Sequence, residues 1–158
     1  MGISKTLSNH LKGIFFGGNW TTVNYKEVLT DVSIDIIYEK PWPFYDNTIL
    51  ALTCHVHYYT KIQSQVFQGG PLTGNDSESF LYPHWEREED WQHFLHHMWE
   101  EVQTLAEVVA GKQDDFWTLD FGNGQYGNNY ENITGLIEHA HYHLGQIVLL
   151  KKACQHLK

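Results

Sequence analysis

Positive charge is scarce in this chain. Only ten Lys and Arg are scattered among 158 residues, against nineteen Asp and Glu, for a formal net charge of −9. Binding a polyanion requires clustered cations that displace counterions from phosphates, so nucleic acid is excluded as a partner. An anionic membrane surface is excluded on the same ground. Cysteine is also sparse: Cys54 and Cys154 lie far apart with no pair spacing of the zinc type. Long apolar runs are missing, which excludes a membrane span, and "GIFF" is too short for the core of a signal peptide. These absences make a reducing, cytoplasmic setting the expectation. Low-complexity tracts are absent too, and charged residues make up only 18%, so disorder is a poor account. What is present is apolar and aromatic: 42% hydrophobic and 15% aromatic residues, enough for one core in a single domain over 1–158.

Periodicity predicts helices. Leu7, Leu11, Ile14 and Phe15 mark a first helix over residues 4–16, stopped by Gly17-Gly18. Between Asn19 and Tyr45 the pattern is weaker; "VNYKEVLTDV" suggests a short helix, broken by "KPWPFYDN". Asp46, Asn47 or Thr48 caps a second long helix, which runs to about Gln68 and ends at Gly69-Gly70-Pro71. A polar and aromatic link, "PLTGNDSESFLYPHWE", leads to a third helix over 88–110 with Gly111 as its C-cap. A last helix spans about 130–156. Four long helices joined by unequal connections predict an all-α fold, a four-helix bundle, in which the second link is long enough to be a crossover.

Eleven histidines would give by chance roughly one pair at i, i+4 spacing; His93/His97 and His139/His143 make two. Helical geometry separates them. At about 100° per residue, His139 and His143 share a sector with Leu136, Ile147 and Leu150, whereas His141 lies about 200° away, on the outer face. His93 and His97 share theirs with Asp90, Glu100 and Glu101, as a solvated surface cluster does. On the second helix His55 falls among Leu52, Tyr59, Ile62 and Val66, and His57 among Thr53, Lys61 and Ser64 on the polar side. Sorting by face therefore selects His55, His139 and His143 as inward. Two accounts stay open: core histidines with separate local partners, or three ligands of one divalent cation with a fourth position for water.

"HAHYHLGQIVLLKK" resembles the last helix of the DinB-like (DinB/YfiT-like) superfamily of metal-binding four-helix bundles. Its H-x-x-x-H-x-G-Q-I signature is matched by His139, His143, Gly145, Gln146 and Ile147. "NTILALTCHVHYY" is similar to the helix that supplies the family's other ligand, at His55, and the likeness runs over residues 46–152. The resemblance implies an up-down-down-up bundle, a three-His site for zinc, nickel or another divalent ion, and a homodimer. It also implies use of a low-molecular-weight thiol, as in relatives that employ bacillithiol or mycothiol.

Three neutral imidazoles leave a bound dication its full charge, which activates water for hydrolysis or a thiol for transfer. The expected function is a metal-dependent hydrolase or thiol-dependent transferase acting on a small molecule. The alternative is a non-catalytic, metal-binding or stress-associated bundle. No general base is legible: Ala140 stands where HExxH has Glu, and Glu138 lies about 100° off the ligand sector. Gln146 shares the ligand face and can orient a ligand or meet substrate. Tyr59, one turn after His55, can donate to a bound anion or form a cavity wall. Cys54 points away from the site and reads as an inert buried thiol.

Overall fold

The computed structural model describes residues 2–156, and among them there is no strand beyond one isolated bridge between Asp120 and Asn128. Six helices carry the chain: α1 (Ile3–Phe16), α2 (Tyr25–Leu29), α3 (Ile34–Ile37), α4 (Ile49–Phe67), α5 (Glu88–Ala110) and α6 (Asn129–His156). Two 3-10 turns, Asp76–Glu78 and Asp114–Thr118, punctuate the links on either side of α5. The protein is all-α. Among the described residues no helix is long and apolar enough to cross a membrane.

Each boundary has a local cause. Gly17 and Gly18 stop α1 with φ of +106° and +86°, backbone that a side chain would strain. Thr48 begins α4 by accepting from the Ala51 N–H at 3.1 Å. Three acidic residues, Glu88, Glu89 and Asp90, occupy the first turn of α5, where the exposed N–H groups favour negative charge. At the start of α6, Asn128 Oδ1 accepts from the Glu131 N–H while Glu131 Oε2 accepts from the Asn128 N–H, both at 2.9 Å. That reciprocal pair is a capping box built on Asn.

The four long helices pack in a ring of neighbours: α1 lies against α5 and α6, and α4 lies against α5 and α6. Ser4 Oγ donates to Lys112 O and Ser8 Oγ to Ala106 O, each at 2.7 Å, so α1 and α5 run in opposite senses at close approach. His57 and Lys112 reach from one to the other of α4 and α5, at Glu101 and the Phe67 carbonyl, so these two run in the same sense. Gln63 bonds to Asn132 O and His55 meets His139, which makes α4 and α6 antiparallel. Between the helices lies one apolar cluster that includes Leu11, Phe15, Leu50, Leu52, Met98, Val102, Ile133 and Ile147, all fully or almost fully buried.

The region from Asn19 to Tyr45, faint in sequence, is a brace. Tyr25 is fully buried, stacks on Phe15, and donates its hydroxyl to the Ala140 carbonyl at 2.8 Å. Glu88 Oε2 accepts from the Ile34 N–H at 2.7 Å, and Trp91 Nε1 donates to Val32 O at 2.8 Å. These bonds hold α2 against the middle of α6 and the segment around α3 against the start of α5. Alpha-helix 3 has only four residues, too few for periodicity to reveal, and its N-terminus is capped by a side chain 54 positions away.

Packing of neighbouring helices explains two departures from the expected faces. His141 is half-buried rather than on an outer face, because α1 covers that side of α6; its Nε2 is shut off from solvent without a hydrogen-bond partner. Burial and nearby His10 lower its pKa. His57, placed on a polar side, is half-buried where α5 packs, and pairs with Glu101. The polar side of α4 is thus partly interior: Thr53, Thr60 and Ser64 are buried, and both threonines return their hydroxyls to the carbonyl one turn back.

Candidate metal centre

Three imidazoles meet between α4 and α6. His55 lies in the middle of α4, and His139 and His143 lie one turn apart on α6, the helix pinned by Tyr25 at the intervening Ala140. His55 and His143 are buried and His139 is half-buried. Nε2 of His139 sits 3.0 Å from Nε2 of His55 and 2.9 Å from Nε2 of His143. One ligand atom from each lies within 4.8 Å of the others, and the three can hold a metal ion.

The far side of two rings fixes the tautomers. Ser79 is buried and donates its hydroxyl proton to the Asp76 carbonyl at 2.6 Å, so it can only accept from His55 Nδ1, 2.7 Å away. Gln146 Oε1 accepts from His143 Nδ1 at 2.5 Å, and the same amide donates through Nε2 to the Tyr142 hydroxyl at 3.2 Å. Both rings therefore carry their proton on Nδ1 and turn a lone pair inward. His139 Nε2 carries one proton at most and satisfies one of these two lone pairs. The other lone pair is left at about hydrogen-bond distance from a nitrogen with no second proton to give it. A central cation satisfies all three nitrogens together, so the donor set fits a divalent metal of the imidazole-favouring kind.

Electrostatics keep the three imidazoles neutral, the form able to bind a metal. Burial first, and then the charges of His143 and His55, push His139 down to about 4. Burial also lowers His55 and His143; the charge of His143 adds to it at His55, and the Gln146 bond opposes it at His143. All three are neutral near pH 7. Asp76 acts in the other direction on His55 and His139, which marks it as the carboxylate close to the site.

Around the triad, the link after α4 supplies what the helices do not. Asn75 Oδ1 accepts from the Ser77 N–H to start a 3-10 turn, and Ser79 ends that turn. Tyr58 and Tyr59 on α4 pin it: the Tyr58 hydroxyl accepts from the Asn75 N–H and donates to Glu78, while Tyr59 donates to Asp76 Oδ1 at 2.7 Å. Phe80 then stacks on the His55 ring with centroids 4.4 Å apart. The Tyr59 hydroxyl is thus committed to Asp76, and burial with that bond raises its pKa. Its ring edges against His55 and His139. Gln146 is committed to His143.

Beside the triad opens a cavity of about 350 Å3, lined by His55, Tyr59 and His139 together with Asp76, Tyr126 and Glu131. The other histidine pair is elsewhere: His93 and His97 are exposed, with Nε2 atoms 2.9 Å apart. Cys54 is buried, and burial pushes its thiol up to about 12, so it is unreactive near neutral pH. Trp91 and Trp117 are core residues rather than cavity walls.

Asp76 and Ser79 had no visible signal in the sequence. They belong to a loop whose approach to His55 depends on two tyrosine side chains, not on any periodic pattern. Glu131 sits three residues after Asn128, a capping spacing that does carry a signal, though for a helix start and not for a cavity wall. No family model, no curated protein and no solved structure matches the chain.

Proposed function

We propose that the protein is a divalent-metal-dependent enzyme of the DinB-like type, acting as a hydrolase or thiol-dependent transferase on a small molecule. One observation carries this reading: three Nε2 atoms converge where an open cavity meets the helices. A site that only cross-braced the helices would need no such access. The cavity therefore favours the enzyme over the non-catalytic, stress-associated bundle. The antiparallel and parallel pairings among α1, α4, α5 and α6 support an up-down-down-up four-helix bundle, with the link after α4 as its crossover. A homodimer belongs to the same proposal.

His55, His139 and His143 would hold the metal, zinc or nickel by preference of imidazole donors. When bound, the dication supplies Lewis-acid charge that makes water or a thiol nucleophilic near neutral pH. The chain's own residues do the rest. Ser79 and Gln146 hold the His55 and His143 rings with Nε2 inward. Phe80 and Tyr59 flank the His55 ring and limit the approach of bulk water. Tyr59 holds Asp76 in the cavity wall.

Metal analysis of the purified protein beside His143→Ala tests the proposal. About one equivalent of zinc or nickel in the wild type and far less in the variant is expected. Equal stoichiometric metal in both refutes the triad.

A further inference from the structure

The charge of the cavity beside the triad is one-sided. Asp76 and Glu131 both face it, and no Lys or Arg lines it. Each carboxylate has one oxygen engaged: Asp76 Oδ1 by the Tyr59 hydroxyl, Glu131 Oε2 by the Asn128 N–H. A carboxylate oxygen accepts more than one bond, and each group keeps a second oxygen. A further acceptor stands in the wall. Gln63 is 7% exposed, spends its amide N–H on Asn132 O, and leaves Oε1 with no partner. Tyr59 and Tyr126 add aromatic rings, whose π clouds attract a cation rather than an anion. The wall is thus rich in acceptors and negative charge, and short of donors.

Resting on the metal reading above, we propose that this cavity selects a small molecule bearing a protonated amine. Its ammonium meets Asp76, flanked by the Tyr59 and Tyr126 rings, while its other donor atom faces the three imidazoles. Two carboxylates offset a dication in charge, so a ligand of two opposite ends fits better than a polyanion. A thiol carrying several carboxylates, a kind the triad alone would accept, is disfavoured here. Ammonium recognition follows from the wall and metal recognition from the triad, so the two separate experimentally.

The test uses cobalt-loaded protein and two thiols of similar length and opposite charge, 2-aminoethanethiol and 3-mercaptopropionate, read by the thiolate-to-cobalt absorption band. The aminothiol is expected to bind about tenfold tighter, a factor equal to about 1.4 kcal/mol. In Asp76→Asn that preference should fall toward unity while cobalt is still retained; the residue is exposed and the amide can still accept from Tyr59. Equal binding of both thiols by the wild type, or preference for the mercaptoacid, overturns the proposal. Cobalt uptake is read first from its own visible bands, so its absence counts against the triad alone. In that event 2-phenylethylamine and phenylacetate compete for the metal-free cavity by ligand-observed NMR. Preference for the amine supports the proposal, and equal or reversed binding overturns it.

Discussion

Removing His143 should abolish a metal-linked gain in thermal stability whose size can be worked out. A ligand at a hundred times its Kd stabilises the folded state by about 2.7 kcal/mol. Unfolding entropy of about 2.1 cal/mol/K per residue, over 158 residues, gives roughly 330 cal/mol/K. Zinc at that excess should therefore raise Tm by about 8 °C. Little of this is consumed in reorganisation, because His55 and His143 already hold Nε2 within 3.0 Å of His139 Nε2 through bonds to Ser79 and Gln146. Differential scanning fluorimetry of chelator-treated protein, with and without zinc, is the assay. His55→Ala and His143→Ala should show a shift near zero at the same zinc concentration. His93→Ala should keep the full shift, since that residue lies in the exposed pair on α5. A shift kept by His143→Ala and lost by His93→Ala would refute the reasoning and move the metal to the surface.

The bonds behind the rings have their own consequence. Gln146→Leu removes the acceptor at His143 Nδ1 and should weaken zinc about 10- to 100-fold with helix content unchanged; a chelator competition giving wild-type affinity would count against the positioning role. Acid should destabilise the metal-free protein. His139 is pushed down to about 4, and His55 and His143 are lowered in the same direction from 6.5. The unfolded chain thus binds more protons below pH 6.5, and stability is lost as pH falls from there toward 4. Tm at pH 7.5 and 5.0 checks it: the drop should be larger in wild type than in His139→Ala, and an equal drop would disconnect it from the triad.

The long helices were legible because each states its own limits. Glu88–Ala110 ends where Gly111 says it should, and Thr48 and the Gly69-Gly70 stop bracket α4 within a residue or two. The inward histidines were legible by the same means, since a side chain's angle on a helix follows from its number alone. That rule also shows where it stops working. It assigns an angle, but which angle is interior depends on the neighbours, and α4 has two. Its polar side packs on α5, so Thr53 and Ser64 are buried there, and His57 is half-buried against Glu101. His141 was misplaced for the matching reason, because α1 covers a third side of α6.

Beyond the helices, the link after α4 lines the candidate site, and it is the segment where local pattern says least. A loop's side chains point wherever its anchors leave them, and here the anchors are Tyr58 and Tyr59, read along α4 only as aromatic residues. Their hydroxyls pull the 3-10 turn onto the helix and bring Ser79 behind His55 and Asp76 into the cavity wall. With the proposed metal in place, the triad alone would be a positive centre indifferent to its ligand's other end, and Asp76 and Glu131 would make it discriminate. Metal affinity and ligand choice would then rest on different parts of the chain, the first on helix faces and the second on a link and a helix cap. Substitutions in the link can then change what the cavity accepts while His55, His139 and His143 keep their geometry, provided the Ser79 bond to His55 is left in place.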